Sequence, residues 1–127
     1  MVFLVGFNSD LDRTTGLGMG SVCGSGQGLD HFIDGGYFAP RNADGTYNVH
    51  RISDFAVTGT ATVALTGSTV TLTVNLATGL EGDDGRTEAH AIVGLGPSDF
   101  RDCAPDAGQM LPTRLRNQRT ILDGPSQ

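Results

Sequence analysis

Residues 54–80 read DFAVTGTATVALTGSTVTLTVNLATGL, and this stretch decides the fold class. Apolar and threonine side chains alternate along it in two runs, which are separated by Gly67 and Ser68. Strict alternation is the pattern of a half-buried β-strand, and a two-residue Gly-Ser connection suits a type I′ or II′ turn. The stretch therefore predicts an antiparallel hairpin over residues 55–77.

The two-residue turn also predicts one register for this hairpin. The expected cross-strand partners are Thr66 with Thr69, Leu65 with Val70, Val63 with Leu72 and Ala61 with Val74. This register places the large apolar side chains, together with those of Phe55 and Val57, on one face. Because a slip of one residue would move them to the threonine face, the register is strongly specified.

The opposite face of the hairpin carries a row of threonines at positions 58, 60, 62, 66, 69, 71 and 73. Threonine suits a pleated surface, and we expect this face to be solvated or to contact another subunit. The segments TGTAT and TVTLT resemble the Thr-x-Thr arrays of ice-binding proteins, over this one hairpin. That resemblance implies a flat array of hydroxyl groups, whereas an ordinary sheet twists.

The rest of the chain contains shorter strand signals between frequent turns. Residues 2–7 (VFLVGF) indicate a short strand or an apolar arm, and residues 87–96 (TEAHAIVGLG) indicate a third strand. Residues 97–127 show little alternation and predict an extended C-terminal arm. We therefore predict a single all-β domain over residues 1–127. It is a small antiparallel sandwich or barrel built around the 55–77 hairpin, with extended N- and C-terminal arms and little helix.

Composition and charge exclude several classes of function. The formal net charge of −6 repels phosphate backbones, so no nucleic-acid partner is expected. All eight basic residues are arginine. Chemistry that requires lysine, such as that of a P-loop or a Schiff base, is therefore not expected. The N-terminal apolar run is short and no cationic segment precedes it, so neither a signal peptide nor a membrane span is expected. We expect assembly in the host cytoplasm, with use there or on an extracellular particle.

Residues 14–30, TTGLGMGSVCGSGQGLD, carry six glycines around Cys23. Neither the phosphate-loop pattern nor G-x-G-x-x-G is present, so we expect these glycines to allow chain bending or close approach. Cys23 and Cys103 lie 80 positions apart. They are interpreted as two free buried thiols, as a disulfide that ties this segment to the C-terminal region, or as a cross-link to a neighbouring copy.

The sequence offers only weak candidates for a chemical site. Glu81, Asp83 and Asp84 form an acidic loop that could bind Ca²⁺ weakly, although a solvated loop is the simpler interpretation. The three histidines lack the local spacing of a zinc site, and no catalytic residue or cofactor site is predicted. Three arginines make the C-terminal segment locally basic and are predicted to face a partner: Arg114, Arg116 and Arg119.

These observations favour a non-enzymatic structural or assembly protein. The expected role is a subunit of a multi-copy particle, such as a virion (phage) decoration, head-completion or tail protein. Its partners would be copies of itself and other particle proteins. The alternative is a small β-barrel or sandwich module that binds a glycan or a small apolar ligand. Its mouth would be formed by Asp30, His31 and Asp34 or by residues 81–84.

Overall fold

The computed structural model describes residues 2–18, 23–83, 86–96, 99–106, 109–112, 114–116 and 119–121. Strands make up 50% of the chain and helix 1%, which confirms the all-β prediction. The strands are β1 (Val2–Asn8), β2 (His31–Gly35), β3 (Tyr47–Arg51), β4 (Val57–Thr66), β5 (Thr69–Val74), β6 (Glu88–Gly96), β7 (Asp99–Ala104), β8 (Leu111–Pro112), β9 (Arg114–Arg116) and β10 (Arg119–Ile121).

Eight of these strands form one antiparallel sheet that curls into a half-barrel. The strand order is β5-β4-β3-β2-β1-β6-β7, and β8 pairs with β6 outside this path. Strands β9 and β10 pair with each other as a separate two-stranded sheet. Within the residues predicted as a C-terminal arm, β7 and β8 therefore belong to the main sheet, in which both pair with β6.

Strand β1 lies at the centre of the sheet, so residues 2–7 form a strand and not an arm. It pairs with β2 on one side and with β6 on the other. Phe3, Val5 and Phe7 are buried in the core. An almost continuous apolar run is what a strand needs when both of its faces are covered.

The β4–β5 hairpin has the predicted register, from Thr66 opposite Thr69 to Ala61 opposite Val74. It forms one edge of the half-barrel, because β5 is the last strand in the order. One detail differs from the sequence interpretation. A bulge pairs Val49 with Gly59 but His50 with Val57, and this moves Val57 to the face that carries His50. Phe55 precedes the strand and also contacts that outer face, at Phe32.

The core lies on the inner face of the sheet. Its buried members are Phe3, Val5, Phe7, Ile33, Val49, Ala61, Leu80 and Ala89. The glycine-rich segment packs against the outer face of β1. There, a Cβ on Gly6 would lie 2.5 Å from the Leu29 side chain. Leu17 and Leu29 form a bridge across this segment, and Cys23 is fully buried.

Cys23 and Cys103 form a disulfide, which links the glycine-rich segment to β7. Of the three interpretations of these cysteines, the structure therefore shows the intrachain bond. Within the described residues, no helix has both the length and the apolar character needed to cross a membrane.

Candidate functional site

A cleft of about 630 Å³ lies where the end of β1, the start of β2 and the end of β3 meet. These ends share one edge because the three strands are antiparallel neighbours. Ser9 follows β1, His31 begins β2 and Arg51 ends β3, while Glu81 reaches the cleft from the loop between β5 and β6. The cleft therefore gathers polar side chains from four distant parts of the chain.

Ser9, His31 and Glu81 are joined by hydrogen bonds, and we call these three residues the relay. The Ser9 Oγ atom lies 3.1 Å from His31 Nδ1, and His31 Nε2 lies 2.6 Å from Glu81 Oε2. A carboxylate only accepts, so Nε2–H donates to Glu81. In the neutral ring Nδ1 is an acceptor for the Ser9 hydroxyl, whose proton can alternatively be donated to Asp30 Oδ2 at 3.4 Å. The imidazole is buried, and its orientation is set from both ring nitrogens.

Arg51 holds the other side of the Glu81 carboxylate. Its Nε atom lies 3.0 Å from Oε2, and its Nη2 atom donates to Oε1. The Arg51 guanidinium and, to a lesser degree, the His31 hydrogen bond lower the pKa of Glu81 to about 2. The same pairing with Glu81, together with the charge of Asp54, raises the pKa of Arg51. Glu81 is therefore a carboxylate throughout the neutral range.

Asp30 completes the polar side of the cleft. Its Oδ2 atom accepts hydrogen bonds from the backbone N–H of Ser9 at 3.0 Å and of Asp10 at 3.2 Å. Burial raises the pKa of Asp30, and the nearby charge of Asp10 acts in the same direction. Two amides beside the Ser9 hydroxyl are thus committed to Asp30.

The relay has the order of a nucleophile, a base and an orienting carboxylate. Acyl transfer also needs hydrogen-bond donors aimed at the developing oxyanion, and backbone amides near the nucleophile commonly supply them. Here the amides of Ser9 and Asp10 donate to the Asp30 carboxylate. What the arrangement offers chemically is a set of oriented polar groups around a cleft.

The structure brings together members of the two polar groups that were alternative predictions for a binding mouth, and it separates Asp34 from them. Asp30, His31 and Glu81 meet in the cleft. Asp34 instead accepts three backbone N–H groups, those of residues 37, 38 and 39. Its Oδ2 atom lies 3.9 Å from His50 Nε2. Successive residues of a strand point to opposite faces, so the even-numbered Asp34 cannot share the face of His31.

The structure describes two of the three acidic residues in the 81–84 loop, Glu81 and Asp83. Glu81, the first of the three candidate Ca²⁺ ligands, has its carboxylate engaged by Arg51 and His31. Asp83 is half-buried, and Asp84 lies outside the described residues.

The three arginines of the basic segment lie in the separate two-stranded sheet. Arg114 and Arg116 lie in β9 and Arg119 lies in β10, where Arg119 pairs with Arg116 along the backbone.

Two exposed apolar surfaces accompany the cleft. On the β4–β5 hairpin, Leu65 is 71% exposed and its partner Val70 is 46% exposed.

The second exposed surface is aromatic and lies on the outer face of the sheet. Phe38 and Phe55 are both exposed and pack on Phe32, with ring centroids 5.6 Å and 5.8 Å from it. The alternation and motif patterns of the sequence did not predict this aromatic group. Its signal was the density of aromatic residues near Asp34, since the chain has only eight Phe and Tyr in all.

Comparison of the chain with protein-family models, with curated proteins and with solved structures finds no match.

Proposed function

We propose that this protein is a non-enzymatic structural subunit that assembles with copies of itself through the β4–β5 edge of its sheet. The particle class we propose is a virion component of the decoration, head-completion or tail type. The single observation that carries the proposal is the exposed apolar face of the hairpin, at Leu65 and Val70. In an ordinary monomer, the inner face of an edge hairpin is covered by the core.

The edge strand itself supports a partner. Among the described strands, β5 pairs only with β4, so the other side of its backbone is available for a further strand. Monomeric sheets protect such edges with charged residues, prolines or bulges. Strand β5 reads TVTLTV and contains no charge and no proline. Its regular pairing with β4 also contains no bulge.

Charge indicates that the partner is a second copy. Each chain carries a formal net charge of −6, so two copies repel each other over most of their surfaces. Residues 55–80 contain no charged side chain, which makes the hairpin the region where two copies meet with the least repulsion. Joining β5 to β5 around a twofold axis perpendicular to the sheet would extend both sheets and join the two exposed apolar faces, with Leu65 and Val70 of each copy, into one continuous face.

The basic C-terminal segment provides a second contact in this proposal. Arg114, Arg116 and Arg119 carry positive charge on a chain that is otherwise strongly acidic. Such a segment complements the acidic surface of a neighbouring subunit. A strand edge and a basic segment on one chain would allow contacts with more than one neighbour, as a multi-copy particle requires.

Analytical ultracentrifugation of the full chain tests self-association. We expect the wild type to form dimers or larger species, and Leu65→Asp with Val70→Asp to weaken association at least about 10-fold, which corresponds to about 1.4 kcal/mol. Leu95→Asp is the matched control, because Leu95 is 63% exposed but lies on β6. A wild type that stays monomeric at its highest soluble concentration would contradict the proposal, as would equal effects of the two charge variants.

A binding module is the second candidate, because Asp30, His31 and Glu81 converge on the cleft. Its volume lies within the range of small-molecule sites. Its described lining combines these polar side chains with Leu17, Leu29 and Ile52 and contains no Phe or Tyr, which favours a small ligand with both polar and apolar groups. A thermal-shift screen with monosaccharides and small polar metabolites would test this candidate, with Ser9→Ala as the variant that alters the cleft. A stabilising compound whose effect survives Ser9→Ala unchanged would place binding elsewhere.

A further inference from the structure

A second cluster of reactive side chains lies on the outer face of the sheet, and none of its members lines the cleft. Cys23, Cys103 and His90 place their two Sγ atoms and one ring nitrogen within 4.8 Å of one another. Cys23 and His90 are both fully buried. The three residues come from the glycine-rich segment, β7 and β6, so the sequence shows none of the local spacing typical of a metal site.

The ring of His90 is held in one tautomer. Its Nδ1 atom lies 2.8 Å from the backbone carbonyl of Gln109. A carbonyl only accepts, so Nδ1 carries the proton, and Nε2 of the neutral ring presents a lone pair. Among the described residues, no hydrogen-bond partner lies within reach of this buried Nε2 atom. Buried polar atoms are normally paired, and each exception needs an explanation.

We propose that the dithiol form of this protein binds one Zn²⁺ through Cys23 Sγ, Cys103 Sγ and His90 Nε2. Two thiolates and one imidazole are ligands that zinc prefers, and they leave the fourth tetrahedral position for one further donor. A ligating histidine usually donates its other N–H to a carbonyl or carboxylate, which fixes its tautomer. In His90, Nδ1–H donates this hydrogen bond to the Gln109 carbonyl, as the non-ligating nitrogen of a zinc-bound histidine does.

The oxidised and zinc-bound forms exclude each other, since both use the same sulfur atoms. A low-molecular-weight dithiol reduces the Cys23–Cys103 bond by exchange, in which it becomes a disulfide and leaves two protein thiols. Zn²⁺ then displaces the two thiol protons, and two Zn–S bonds and one Zn–N bond form. Such bonds measure about 2.3 Å and 2.0–2.1 Å. The sulfurs must therefore separate to roughly 3.8 Å, a distance that side-chain rotation can reach once the covalent bond is broken.

The site would tie the glycine-rich segment to β7 in either redox state, and to β6 as well when zinc is bound. Under reducing conditions the metal would hold Cys23 against Cys103, and under oxidising conditions the disulfide would do so. This inference does not depend on the proposed assembly function, because none of its three residues lies on the β4–β5 hairpin.

Zinc titration of the fully reduced chain, freed of reductant under anaerobic conditions, tests the proposal. A chromophoric chelator serves as competitor, and Co²⁺ in place of Zn²⁺ reports thiolate ligation through its charge-transfer absorption. We expect one ion per chain in the reduced wild type and none at this site in the oxidised protein. Loss of a partner beyond the ligands costs metal sites 10–100-fold in affinity, so His90→Ala should weaken binding by at least about 100-fold. His50→Ala is the matched control, because the Nδ1 atom of His50 is also bonded to a backbone carbonyl, that of Phe55.

A reduced wild type that binds zinc no better than Cys23→Ser with Cys103→Ser would overturn the proposal. Binding by His90→Ala as tight as by the wild type would also overturn it, since the sulfurs alone would then hold the ion. The fold of His90→Ala is checked in its oxidised form, in which the disulfide is retained. Alkylation of the wild type gives a measurement free of mutations: bound Zn²⁺ should slow modification of both thiols at least about 10-fold, and unchanged rates would contradict the site.

Discussion

The Nε2 atom of His31 lies 2.6 Å from the Oε2 atom of Glu81, although 50 residues separate them in sequence. The same carboxylate receives Arg51 from the end of β3. This contact connects β2, β3 and the loop after β5, and it orders the polar side of the cleft. It also gives the protein a carboxylate whose pKa is lowered to about 2.

Replacing Glu81 with glutamine should therefore change the acid dependence of stability. The pKa in the folded state is below the ordinary value of 4.5, so the contribution of Glu81 is fully present above about pH 4.5 and is lost as the pH falls towards 2. Since Glu81 is partly exposed, we expect Glu81→Gln to lower the free energy of unfolding by only about 1 kcal/mol at neutral pH. The difference from wild type should shrink near pH 2.

Urea unfolding at pH 7 and about pH 2.5 measures this difference. Asp54→Asn is the control, because Asp54 contacts the same Arg51 but not His31. An undiminished difference between Glu81→Gln and wild type at the lower pH would show that the ionised carboxylate is not the cause.

Two glycines of the 14–30 segment should respond differently to alanine. Gly16 and Gly26 both have positive φ, 72° and 84°. A Cβ at Gly16 would lie 2.1 Å from the Leu29 carbonyl oxygen, whereas at Gly26 nothing lies within 4 Å. We expect Gly26→Ala to cost about 1–2 kcal/mol from its backbone conformation alone. Gly16→Ala should cost more, because the Leu29 backbone must also move. Chemical unfolding measures both, and equal losses would contradict the close approach.

The disulfide should contribute substantially to stability. It closes a loop of 80 residues, for which the chain-entropy model gives about 4.5 kcal/mol. Measured values are often smaller, so we expect Cys23→Ser with Cys103→Ser to lower stability by about 2–4 kcal/mol and Tm by roughly 10 °C. Calorimetry of the oxidised wild type and the double variant, both in the presence of a chelator, measures the change. A shift of less than about 2 °C would show that other contacts hold the glycine-rich segment.

Asp34 should be needed for the loop that follows β2. Its carboxylate is buried and accepts N–H groups from residues 37, 38 and 39, at 2.8–3.1 Å. Asp34→Ala leaves these amides without that acceptor, and we expect a loss of about 3 kcal/mol or more. Asp44→Ala is the matched control, because Asp44 is exposed and its side chain accepts two hydrogen bonds from Thr46 within the same turn. Thermal unfolding of both variants should show the larger shift for Asp34→Ala.

Much of the fold could be predicted because its strongest signals are local. The hairpin register follows from a two-residue turn and strict alternation, and the structure confirms each predicted pair from Thr66–Thr69 to Ala61–Val74. The position of β1 could not be predicted in the same way. An apolar run such as VFLVGF suits a central strand or an arm, and only its pairing with β2 and β6 distinguishes them.

The sequence by itself determined the all-β class, the hairpin and its register. The tertiary structure decided which distant residues meet: Ser9, His31 and Glu81 in the cleft, and Cys23, Cys103 and His90 on the outer face. The physical reason is the range of the interactions. Turn geometry and side-chain alternation act between near neighbours in sequence, whereas each cluster is formed by strand pairing and loop packing and includes a contact between residues 50 or more positions apart. No residue spacing within the sequence predicts these contacts.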